Sequence, residues 1–179
     1  MKTLLVYYSF TQNNELLAKT IQTRLGCEML KIETIRKRST FSIFLDRIFG
    51  RKPSIRKYNL SMMEYDQFVF VGPIWMGQIA SPLKTFLYQE RDVIKRYSFI
   101  TLCGGLPGQK EKIEAELTSI VQMHPENVTE LWISDIVSAS VTKDAKNISA
   151  YRIGPEEMEK FTTKIDEFCF SILDKKVLA

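Results

Sequence analysis

The run "FVFV" at 68–71, entered through Asp66 and Gln67 and left at Gly72, puts apolar side chains at four consecutive positions. Successive side chains of a strand point to opposite faces, so this strand is greasy on both sides. Such runs belong to parallel sheets covered on both faces, whereas a half-wet antiparallel sheet alternates apolar with polar. Further strands are expected at 2–8 ("KTLLVYY"), 27–32, 97–105 ("YSFITLCGG") and 129–137. Between them the spacing turns helical. Leu16, Leu17, Thr20, Ile21 and Leu25 mark a helix over 14–25 that Gly26 ends, "PLKTFLYQE" opens on a proline suited to a first helical position, and 109–121 and 155–176 continue the pattern. Strands alternating with helices predict an α/β architecture with helices on both faces of a parallel sheet.

With 179 residues, 45% of them hydrophobic, the chain suits one domain over 1–179, interrupted by a basic insertion at about 33–62. No apolar run reaches the roughly 18 residues needed to span a bilayer, and the apolar core of "MKTLLVYYSF" is too short for a secretory signal, so a cytoplasmic protein is expected. Cys27, Cys103 and Cys169 are odd in number and widely spaced, which suggests neither a disulfide framework nor a metal site. His124 is the single histidine and is expected in a surface loop. One histidine leaves little room for Ser-His-Asp, Cys-His or His-rich metal chemistry, so any catalysis falls to an organic cofactor.

In an open parallel sheet, ligands bind beyond the carboxyl ends of the strands. Three unusual loops lie there: 9–13, 73–81 and 104–108. The first offers Ser9, Thr11, Asn13 and Asn14 directly ahead of a helix whose first N–H groups lack internal partners, the setting a phosphate uses. One of Ser9, Thr11 or Asn13 as a plain N-cap is the competing reading. In the second, read as a long loop, Trp75 offers a flat face for a planar ring, or simply covers the core. The third, "CGGLPG", permits close backbone approach, as ordinary turns also do. Together the loops describe a site for a flat cofactor with a phosphate tail. Cys103 reads as a buried or cofactor-adjacent thiol and not a nucleophile.

The stretches "YYSFTQNNELLAKTI", "FVFVGPIWMGQIASPLKTFL" and "FITLCGG" resemble, in order and spacing, the three flavin loops of the flavodoxin-like proteins. The resemblance implies a three-layer sandwich with a five-stranded parallel sheet of order 2-1-3-4-5. It implies that FMN is held by the loop of Ser9, Phe10, Thr11, Gln12, Asn13 and Asn14. Pro73, Ile74, Trp75, Met76 and Gly77 would flank the ring, and Cys103, Gly104 and Gly105 would line its pyrimidine edge. No metal is implied. Gln12 stands where the family pattern has glycine and Asn14 where it has threonine. Asn13 is then expected to supply left-handed backbone geometry, and Asn14 to donate through its amide.

Three functions fit such a site: an FMN-dependent oxidoreductase taking electrons from NAD(P)H to a quinone or other small acceptor, an electron carrier for a redox protein, and an interaction module without cofactor. The family's shuttles are acidic, and the sequence pI of 8.9 favours the oxidoreductase. Residues 36–57 hold eight bases against Asp46 alone, a local charge of +7 that leaves the remainder at −3 within a total of +4. Phe41, Phe44, Leu45, Ile48 and Phe49 form a helical stripe in this segment. A solvated helix packed on its own sheet, a lid for an NADPH phosphate, a docking helix and a foot on an anionic membrane surface are its readings, with a homodimer through the stripe suggested by analogy. Nucleic acid is not expected as a partner, because a basic cluster without a recognised binding fold is a weak signal.

Overall fold

The computed structural model describes residues 1–137 and 151–174. Strands β1 (Thr3–Tyr7), β2 (Glu28–Lys31), β3 (Gln67–Val71), β6 (Tyr97–Cys103) and β7 (Val128–Trp132) form one parallel sheet in the order β2-β1-β3-β6-β7. Leaving aside the small β4–β5 pair described below, this is the flavodoxin-like order 2-1-3-4-5, as expected from the resemblance.

The period-2 rule explains the continuous runs. Leu4, Val6, Phe68, Phe70 and Phe99 face a layer made by α3 (Ser81–Glu90) and α4 (Gln109–Val121), where they meet Leu83, Phe86, Ile113 and Leu117. Their neighbours Leu5, Tyr7, Val69, Val71 and Ile100 face α1 (Asn13–Leu25) and α6 (Thr162–Leu173), against Leu17, Ile21, Ile165 and Phe168. Both clusters are almost wholly buried, and each large side chain removed from water contributes about 1.5–3 kcal/mol. The sheet is a partition between two dry layers, so its central strands β1, β3 and β6 are buried at every position.

The expected C-terminal helix is broken. Its first turn, α5 (Pro155–Met158), is joined to α6 by a tight 3₁₀ turn at Glu159–Phe161 that buries Phe161, and Lys175 and Lys176 lie outside the described residues. The fifth strand is shorter than its apolar pattern suggested, because Ile133–Asp135 coils into a 3₁₀ turn.

The basic insertion is closed at its neck by an antiparallel bridge between Thr34 and Ile55, with Arg56 N donating to the Glu33 carbonyl at 2.7 Å and Ile35 N to the Ser54 carbonyl at 3.1 Å. Within it, helix α2 (Thr40–Phe49) starts on a reciprocal cap, Ser42 N to Ser39 Oγ and Ser39 N to Ser42 Oγ, and stops at Gly50. Of the stripe, Leu45 is half-buried and Phe49 exposed, while the side chains of Phe41, Phe44 and Ile48 lie outside those described. Among the described side chains of the helix the buried ones are Ile43 and Asp46, the latter ion-paired with Arg38. A paired and hydrogen-bonded carboxylate can be buried where an apolar count would not place it.

Asn14 joins the start of α1 to β6. Its amide nitrogen donates to the Leu102 carbonyl at 3.0 Å, and its oxygen accepts from Leu102 N at 3.0 Å, both fully buried. Asn14→Ala therefore loses two hydrogen bonds and strands two backbone groups, and should destabilise the fold by about 2–4 kcal/mol. A urea midpoint unchanged from wild type would contradict this account.

Candidate functional site at the carboxyl edge of the sheet

Strands β1 and β3 end together because Tyr8 N donates to the Val71 carbonyl at 3.0 Å, so the loops that follow leave the sheet side by side. Gln12 closes the first loop with φ 71° and ψ −17°, and its carbonyl accepts the first helical bond, from Leu16 N at 2.9 Å. The backbone N–H groups of Asn13, Asn14 and Glu15 therefore open α1 with no acceptor inside the helix, at its positive end. In the same loop the Ser9 hydroxyl oxygen is buried and has no hydrogen-bond partner among the described residues. A buried hydroxyl without a partner costs about 1–3 kcal/mol, which an arriving acceptor would recover.

Two expectations for this loop change. The left-handed residue is Gln12 itself, at the position where the family pattern has glycine, while Asn13 is the first helical residue. The amides expected to serve a phosphate are engaged elsewhere: Asn14 on Leu102, and Asn13 on a distant segment, donating to the Tyr151 carbonyl at 2.8 Å and accepting from Ile153 N at 3.1 Å. What this stretch leaves for a ligand is backbone N–H, the Thr11 hydroxyl at the cavity and the buried, unpartnered Ser9 hydroxyl.

The clamp by Asn13 has a further effect. Arg152, between the two clamped residues, lines a cavity of about 580 Å³ together with Phe10, Thr11, Gln12 and Lys19. Glu15 borders the same space, and its carboxylate would repel an anion. Lys31 at 3.0 Å neutralises it, assisted by Lys19 at 3.1 Å, and these contacts hold the Glu15 carboxyl below its ordinary range. Arg152 could not be singled out from the sequence, because its placement depends on a hydrogen bond spanning 138 residues.

The second loop is a hairpin and not an open loop: β4 (Ile74–Trp75) pairs antiparallel with β5 (Gln78–Ile79) around Met76 and Gly77, both at positive φ. That is the mirror-image turn that suits the twist of a two-residue hairpin. Trp75 is half-buried, with ring edges or faces set perpendicular to Tyr8 and Phe10 at centroid distances of 5.7 and 6.0 Å. The indole is thus fixed by neighbouring aromatics and not freely displayed. Pro73 and Ile74 are partly buried beside it, and the Pro73 carbonyl accepts from Ala80 N at 3.0 Å. Burial pushes the Tyr8 phenol up to about 12, so it stays protonated at neutral pH.

In the third loop the close approach at Gly105 is to the chain itself. Its φ is 89°, and a Cβ there would fall 2.8 Å from the Trp132 ring and 2.9 Å from Ser134 Oγ. Trp132, the last residue of β7, was signalled by its place at a strand's carboxyl end but not singled out in the sequence. Gly104 is partly exposed next to it. The Cys103 thiol is buried, accepting from Gln109 Nε2 at 3.3 Å, and burial pushes it up to about 11. Each loop also shows one exposed apolar side chain: Phe10, Met76 and Leu106. His124, exposed as expected, sits beyond α4 and contacts only Thr118 Oγ1 among the hydrogen bonds of its ring.

Among the described residues there is no group of three or more His, Cys, Asp or Glu able to hold a metal, and no helix long and apolar enough to cross a membrane. No protein-family model matches the chain, and no curated protein matches it. Solved structures do. A flavoprotein from Lactobacillus acidophilus NCFM in complex with FMN matches with a TM-score of 0.64 at 21% identity, over 72% of this chain and 92% of that one. The apo form of the flavoprotein from the same organism matches with a TM-score of 0.59 at 23% identity, over 72% and 91%. The fold is thus the flavodoxin-like one of these flavoproteins, the first of which holds FMN.

Two outcomes follow from this geometry. Gln12→Gly removes a side chain from left-handed backbone and should raise stability by roughly 0.5–1 kcal/mol, after the greater freedom of glycine in the unfolded chain is counted; a lowered melting temperature would refute the strain. At pH 8 a thiol shifted up to about 11 is ionised in only about one molecule in a thousand. Cys103 and Cys169 should therefore react with Ellman's reagent far more slowly than a free thiol, and their reactivity should climb steadily as pH rises toward 11. Three fast thiols in native protein would contradict it.

Proposed function

We propose that the chain binds FMN at the carboxyl edge of its sheet and works as an FMN-dependent oxidoreductase, passing electrons from NAD(P)H to a quinone or another small acceptor. The observation that carries the cofactor is the Ser9 hydroxyl, buried without a partner among the described residues in the loop that leads into the unpaired N–H groups opening α1. This donor set fits a phosphate: neutral hydrogen bonds at a helix N-terminus, with Arg152 and Lys19 at the cavity's border. FMN, when bound, supplies the hydride and electron chemistry, and the protein need offer no general acid or base.

The chain's own residues then have positional roles. Ser9, Thr11 and the N–H groups of 13–15 hold the phosphate. Trp75, braced by Tyr8 and Phe10, gives the ring a fixed apolar neighbour, and the partly exposed Gly104 leaves room at its polar edge. The sequence pI of 8.9 supports a small-molecule partner over the basic protein partners that acidic shuttles use. A second reading, electron carrier for a redox protein, is favoured by the apolar trio Phe10, Met76 and Leu106 around the same edge, which would suit a protein surface.

After incubation with FMN and desalting, the protein should retain shifted flavin absorbance, and Ser9→Ala should weaken retention about tenfold, equivalent to one lost hydrogen bond to a charged group. A colourless wild-type protein would overturn the cofactor and leave the interaction module standing. With flavin retained, quinone-dependent oxidation of NADH or NADPH supports the oxidoreductase, and its absence alongside a reversible one-electron reduction supports the carrier.

A further inference from the structure

A second cavity, of about 450 Å³, lies where the insertion meets α3, α4 and the β4–β5 hairpin of the second loop. The insertion is fastened over it. Asp46 is ion-paired with Arg38 and accepts from Ser81 Oγ at 3.0 Å, and Thr85 Oγ1 donates to the Pro53 carbonyl at 3.1 Å, so both ends of the insertion's second half are held against α3.

The cavity's walls are of two kinds. Ile43, Ile79, Ile120, Tyr88 and Trp75 supply apolar surface, and Trp75 belongs also to the hairpin beside the proposed flavin. The charged lining is unequal. Both carboxylates are engaged: Asp46 as above, and Glu116 by Lys84 at 3.0 Å and by the Ile79 N–H at 2.8 Å. The cations Arg51 and Lys52 have aromatic partners only, the Arg51 guanidinium 5.1 Å from the Phe49 ring centre and the Lys52 ammonium 3.4 Å above Tyr88. Among the described residues neither forms an ion pair with a carboxylate. Contact with a ring face orients a cation and strips some of its water without cancelling its charge.

We infer that this cavity is a binding site for an organic anion with a flat apolar body, its carboxylate or phosphate taken by Arg51 and Lys52 and its body laid against Trp75, Ile79 and Ile120. The inference needs no flavin. Where the proposed oxidoreductase function also holds, the site shares Trp75 with the flavin edge.

The test uses 8-anilino-1-naphthalenesulfonate, an anionic aromatic dye, and its uncharged analogue N-phenyl-1-naphthylamine, titrated into the protein with and without saturating FMN. The sulfonate should bind in both conditions, and Arg51→Gln with Lys52→Gln should weaken it about tenfold while the neutral dye changes less than twofold. Neutralising Lys110 and Lys112, exposed on α4 outside the cavity, should leave both dyes unaffected. Displacement by benzoate would point to a carboxylate ligand and displacement by adenosine 2′-phosphate to a phosphate. Equal weakening of both dyes, equal weakening by the α4 pair, or sulfonate binding abolished by FMN would overturn the inference. The last result would place the dye at the flavin loops and so leave the cofactor reading intact.

Discussion

Two neighbouring carboxamides hold the working edge together. Asn14 locks both ends of its amide onto the backbone of Leu102 in β6, and Asn13 does the same across Tyr151 and Ile153. Three parts of the chain far apart in sequence, the first loop, the strand that feeds the third loop and the segment before the last helix, are thereby fixed against the first turn of one helix. A carboxamide is suited to this because it donates and accepts at once, matching an N–H and a C=O of exposed backbone edge. Buried as they are, these bonds act in a medium where breaking them strands partners that no water reaches.

That arrangement also explains which parts of the site could be read from the sequence. The strands and helices were legible because the sheet is dry on both faces: "FVFV" and "LLVYY" admit hardly any other placement, and α4 begins and ends where its pattern does. The loops were legible as loops, by their position after strands. Individual side-chain roles were not. Nothing in the string "TQNN" tells that Gln12 takes the left-handed turn and that both asparagines look inward, because those choices are made by partners more than 80 residues away. The hairpin of Met76 and Gly77 was hidden for a local reason, since methionine is a poor advertisement for positive φ. Arg152 had no signature of its own.

The insertion shows a different limit. Its charge was plain in the composition, and a helix was plain in its spacing, yet among its described side chains a buried one is Asp46, the only acid among eight bases, paired with Arg38 and hydrogen-bonded to Ser81. A segment with a formal charge of +7 is thus joined to the domain partly through its single negative side chain. Arg51 and Lys52 are held over aromatic rings, which keeps positive charge at this part of the surface and separates it electrostatically from the mildly acidic remainder.

The pairing of Gly105 with Trp132 has one more consequence. The chain contains two tryptophans; one packs under the glycine of the third loop, and the other is wedged between Tyr8 and Phe10 in the second. Both indoles therefore lie at the carboxyl edge of the sheet, and none lies in the helical layers or the insertion. Excited where only tryptophan absorbs, the emission of this protein is a built-in reporter of that edge and of the cavity wall that Trp75 shares with the insertion.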